Sequence, residues 1–126
     1  MNAVEIEEAI SELAAAPFDA ADFPRAFLEA FNNKPTTVKR LLAGAAKNSD
    51  VEGGVLQFKQ IHLAVASPGR VKEKMDQLRA SPKTAAGKVR FILATDGQTL
   101  EAEDLAEGDI RVCDYKDFAN HFGFFL

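Results

Sequence analysis

Two short apolar runs, "IHLAVA" at residues 61–66 and "VRFILAT" at residues 89–95, do most to limit what this chain can fold into. Both read as strands apolar enough to lie inside a sheet rather than at its rim. Between them, "VKEKMDQLRA" places Val71, Met75 and Leu78 on one helical face, so the order is strand, helix, strand. A helix joining two inner strands is a crossover, which demands a sheet with a packed face. The second run closes on the turn residues Asp96 and Gly97. "QTLEAEDL" pairs back on it, "EGD" turns again, and "IRVCDY" alternates as an edge-like third strand. Upstream, "VLQFKQIHLAVA" offers one bent strand or two short paired ones.

The first 47 residues read as helices. Ile6, Ile10 and Leu13 share one face of the first. Asp22 can cap a second, with Pro24 in its first turn and Phe23, Phe27 and Phe31 aligned inward. Thr36 or Thr37 can cap a third, with Val38, Leu41, Leu42 and Ala45 facing in and Lys39, Arg40 and Lys47 on its other side. "KNSDVEGG" is a loop, "SPKTAAGK" a polar connector, and "KDFANHF" a short final helix. The expected architecture is α/β of the α+β kind: a helical part at 1–47, then a small mixed sheet with a crossover helix at 51–126. With 126 residues, one domain with a real core is expected, not two.

Charge is distributed unevenly. Residues 33–90 carry twelve Lys or Arg against four acids, while residues 1–32 and 91–126 are each acidic by six, which gives a net charge of −4. A basic middle between acidic ends is either a footprint for nucleic acid or a solvated surface whose segments neutralise one another in the fold. Ten Phe, one Tyr and no Trp suggest core filling rather than a surface for stacking bases. No apolar run is long enough for a membrane span, and the acidic N-terminus lacks a signal pattern. The lone Cys113 suits the cytoplasm and reads as core rather than nucleophile.

Catalytic motifs are missing. His62 and His121 lie far apart, and no nucleophile elbow, P-loop or dinucleotide fingerprint occurs. Glu101 and Glu103 share a strand face that reads as a solvated edge rather than a metal site. No general base or charged metal cage stands out.

"FPRAFLEAFNNKPTTVKRL", "FILATDGQTLEAEDLAEGD" and "DFANHFGFFL" together resemble the N-terminal region of bacterial Type IIG/IIL (MmeI-like) restriction–modification DNA methyltransferases, over residues 23–126. The resemblance implies a restriction-endonuclease-like fold whose metal motif is an Asp, nine residues, then Glu-x-Lys on a strand ending in a small-residue turn. Setting "SPG" (residues 67–69) at that turn places Gly54, Ala64 and Ala66 at the three motif positions. The implied domain is therefore a degenerate, noncatalytic nuclease with no metal or cofactor of its own. Asp50 and Glu52 are the remaining candidates for a residual metal nuclease.

S-adenosylmethionine and the methyltransferase domain are expected elsewhere in the same parent chain, as no Asn-Pro-Pro-Tyr motif occurs. The apolar "FGFFL" is what a piece of a longer protein would show, although a chain that tucks this end into its own core would show it too. DNA is the implied partner of the parent, touched through Lys34, Lys39, Arg40 and Lys47. A docking module without any nucleic-acid role is the alternative.

Overall fold

A computed structural model describes residues 3–31, 33–44 and 48–125, apart from the side chain of Phe122. Three helices open the chain: α1 (Ala3–Ala15), α2 (Phe23–Ala30) and α3 (Pro35–Ala43). Strands β1 (Gly54–Gln57) and β2 (Ile61–Val65) follow as an antiparallel pair, so the ambiguous segment is two short strands. Helix α4 (Val71–Ala80) and the one-turn α5 (Pro82–Ala86) then lead to β3 (Phe91–Thr95), β4 (Thr99–Asp104) and β5 (Ile110–Asp114). The chain closes in a 3-10 segment, Tyr115–Phe125, rather than an α-helix.

Strand order follows sequence order, β1-β2-β3-β4-β5, in one open mixed sheet. Only β2 and β3 are parallel, and α4 is the crossover that their apolar sequences called for. The fold class is α+β as expected.

Strand alternation assigns each face of the sheet its own cover. Phe91, Leu93, Leu63, Leu100 and Ala102 face the N-terminal helices, packing with Ile10, Phe23, Phe27 and Leu28. Ile92, Ala94, Ala64 and Leu56 face α4 and its Val71, Met75 and Leu78. The Phe ladder of α2 anchors the first cluster. Phe27 stacks at 5.6 Å on Phe23 and 4.9 Å on Phe31, and Phe125 of the last segment meets Phe27 edge-on at 5.6 Å. The described part of the apolar C-terminal stretch is thus docked on the helices, with Phe124 5.6 Å from Phe91.

Both expected helix caps differ. Asp22 occupies the N-cap position of α2, but its carboxylate accepts from the Arg25 guanidinium at 2.6 Å and caps no backbone N–H. A charged donor one turn away outcompetes the neutral amides. Helix α3 begins one residue earlier than Thr36, at Pro35, with Lys34 as N-cap and no side-chain cap. Pro35 fixes its own φ and offers no N–H to be capped. Ala45 lies outside the described residues.

The "SPKTAAGK" connector holds a helix, capped by Ser81, which accepts from the Lys83 N–H at 3.2 Å. Glu101 and Glu103 are not on an edge, because β5 pairs outside β4. Glu103 is half-buried and accepts from Arg79 at 2.8 Å.

Candidate functional site

Two regions of the fold hold the residues singled out in the sequence: the junction of β1 with β2, and the basic surface beside it. In the β1/β2 ladder Gly54 pairs directly with Ala64, so two of the positions assigned to the metal motif face each other across adjacent strands. Ala66 follows at the end of β2, and all three are buried.

Space and chemistry there are already committed. A Cβ on Gly54 would collide with the Ser49 hydroxyl and lie 2.8 Å from the Val51 carbonyl and 3.3 Å from His62 Nε2. Ala64 and Ala66 belong to the dry cluster under α4 with Met75 and Ile92. An ionised Glu or Lys in that cluster would cost several kcal/mol without a partner. These residues do not fit a divalent metal: Gly54 and Ala64 offer a hydrogen atom and a methyl group where two carboxylates would be needed, and Ala66 a methyl group in place of the lysine ammonium. Among the described residues, no group of three His, Cys, Asp or Glu side chains converges as metal ligands. Asp50 instead accepts from the Ser81 hydroxyl at 2.5 Å, and Glu52 gives only its backbone carbonyl, to Lys74 Nζ at 3.0 Å.

His62 fills the pocket between these elements. Its ring is fully buried, with Nε2 2.6 Å from Ser49 Oγ and Nδ1 2.8 Å from Thr84 Oγ1. Thr84 donates its one proton to the Leu78 carbonyl at 2.7 Å, so it must accept from Nδ1–H. Nε2 therefore accepts from Ser49, and Ser49 accepts from the Val51 N–H at 3.2 Å. Every partner is satisfied with the ring neutral. Burial pushes the His62 pKa below its ordinary value, against a smaller opposing pull from Asp50. The chain Ser49–His62–Thr84 is a closed structural network joining the loop before β1 to β2 and α5. Burial likewise pushes the Cys113 thiol up, with Asp117 and Asp114 adding to it, which disfavours a thiolate.

The basic middle separates into two kinds of cation. Arg70 pairs with Glu73, Arg79 with Asp76 and Glu103, and Arg90 with Asp104. No described lysine takes part in an ion pair, and neither does Arg40. Lys34, Lys39 and Arg40 are exposed as expected, Lys34 at the N-cap of α3 and the other two opposite buried Val38. Lys47 lies outside the described residues.

Beside α3 the fold adds residues that the sequence had not singled out. The β1–β2 turn and the turn after α5 are stitched by the Lys59 N–H, which donates to the Gly87 carbonyl at 2.8 Å. Leu41 of α3, Phe58, Lys83 and Gly87 line a shallow depression of about 290 Å³ between these elements. Lys59, Lys83 and Lys88 are exposed around it. Lys59 and Lys88 both hold positive φ, at 63° and 52°. That conformation costs a non-glycine residue about 1–2 kcal/mol. No Gly or Asn marks the β1–β2 turn, so composition gave no signal for it.

The mixed five-stranded sheet, its crossover helix and the helices covering its other face define a small α+β domain. The chain belongs to the family of MmeI N-terminal domains, whose sequence profile matches residues 1–126, its whole length. No curated protein and no solved structure matches it. Among the described residues, no helix is long and apolar enough to cross a membrane.

Proposed function

We propose that this chain is a noncatalytic, nuclease-derived domain of a restriction–modification DNA methyltransferase. It would scaffold the methyltransferase part of such a protein and add nonspecific contacts to DNA phosphates. The observation that supports the reading is the pairing of Gly54 with Ala64, which sets the two positions aligned with the motif's carboxylates side by side without a group that can bind a metal. Methyl transfer from S-adenosylmethionine would belong to a separate cytoplasmic domain, since nothing in this sequence provides for it.

The phosphate contacts fall to Lys34, Lys39 and Arg40, with Lys47 the fourth candidate. Exposed cations without acidic partners are what counterion release requires. They position DNA without reading its sequence. A duplex titration of the wild-type chain and of the K39E/R40E variant tests this. Weaker binding with a shallower salt dependence supports the contacts, and unchanged affinity and slope remove them.

A second reading has one observation in its favour. Ile110 and Val112 of the outer strand β5 are 50% and 60% exposed, and they stand opposite Glu103 and Glu101 of β4. Such an edge suits protein docking without nucleic acid. Under that reading V112E abolishes association with the partner domain, and K39E/R40E changes nothing.

A further inference from the structure

We propose that the β1–β2 turn is a stacking platform for an unpaired DNA base, with Phe58 as the platform and Lys59, Lys83 and Lys88 holding the flanking phosphates. The inference rests on the reading above that this side of the molecule faces DNA, and it names the form of DNA that this surface takes.

Phe58 is 57% exposed, whereas the other Phe rings among the described side chains pack into or against the core. It sits at the tip of a tight turn, with the Lys59 ammonium 5.5 Å from its ring centroid. Lys83 lines the same depression, and Lys59 and Lys88 border it from two turns joined by one hydrogen bond. Both of these lysines hold a left-handed conformation that glycine would adopt without strain. What Lys supplies there and glycine cannot is the ammonium group. None of the three ammonium groups is neutralised within the fold.

A protruding aromatic ring among unpaired cations is the combination that binds single-stranded nucleic acid, where each base has a free π-face and each phosphate a charge. A paired duplex hides those faces. The Phe58 ring therefore distinguishes unpaired DNA from a duplex, while the lysines do not.

The chain contains no Trp, which makes F58W a single-site reporter of stacking. Its emission is read while adding an oligothymidylate of about a dozen nucleotides, within the site size of one small domain. Quenching that saturates with binding, together with about tenfold weaker binding by F58A at an unchanged salt slope, is the expected result. The K59E/K83E/K88E variant loses affinity and flattens the slope. An F58W signal that stays constant while DNA binds, or an F58A variant that binds like the wild type, overturns the proposal. So does equal quenching by polyglutamate, which would mark an acidic protein partner.

If duplex binding persists and falls with K39E/R40E while Phe58 proves silent, only this inference is lost. If the wild-type chain binds no DNA at any salt, both readings are lost together.

Discussion

At the residue scale, Gly54, Ala64 and Ala66 place no metal-binding group at the β1–β2 junction. Gly54 is packed so closely by Ser49 and Val51 that any larger residue must displace the loop. G54D is therefore expected to lower stability by about 2–3 kcal/mol, measured by urea denaturation, and not to restore metal binding. His62 makes a pH-dependent prediction. Its folded pKa lies below its ordinary value, so the unfolded chain binds the extra proton first. Its contribution is complete above 6.5 and is lost as pH falls from there toward the depressed folded value. Melting temperature should decline as pH falls below about 6.5 in the wild type, and H62Q should remove that part of the decline while lowering Tm at neutral pH.

That Gly54, Ala64 and Ala66 carry no metal-binding group was legible in the sequence, because Ala and Gly lack one in any fold. The network that fills the space was not. Ser49, His62 and Thr84 are dispersed along the chain, and nothing in their spacing says that they meet.

At the element scale, periodicity gave the long elements and turn chemistry set the joints. The β3–β4 turn is closed by Asp96, which accepts from the N–H groups of Gln98 and Thr99 at 2.9 Å and of Gly69 at 2.8 Å. Burial alone would raise the Asp96 pKa, yet these backbone donors outweigh it and hold it below the ordinary value of 3.8. That contribution is full above 3.8 and disappears as pH falls below it, a window separate from that of His62. D96A should cost about 1–3 kcal/mol at neutral pH and lessen the acid sensitivity below pH 4, read from Tm across that range.

Gly97 beside it holds φ at 90°, and a Cβ there would lie 2.5 Å from the Phe18 ring. G97A should destabilise by a further 1–3 kcal/mol or so in the same denaturation assay. Asp96-Gly97 announced this turn in the sequence, whereas the β1–β2 segment left a bent strand and a paired one open, because Lys59 takes a conformation that its type rarely adopts. Helix α5 was missed for a related reason. Its five residues are too few to show a period, and only the Ser81 cap and the following proline mark its start.

At the scale of the whole molecule, the charge asymmetry persists in the fold but is carried by different residues than a count suggests. Arginines at 70, 79 and 90 are spent on internal pairs, so the free positive charge is mostly lysine around α3 and the β1–β2 turn. A sequence total of +8 for residues 33–90 cannot reveal this division, since Glu103 and Asp104, which neutralise two of the arginines, come from outside that stretch.

The central claim is a nuclease-derived layout that has lost its cleavage chemistry and kept its hold on DNA. It is tested most directly by titrating this 126-residue chain with DNA at low and moderate salt in the presence of Mg²⁺, and running the recovered DNA on a gel. The account predicts binding that falls steeply as salt rises, with the DNA recovered intact. Cleaved DNA would contradict the assignment of Gly54, Ala64 and Ala66, and no binding at either salt would contradict the role given to the lysines.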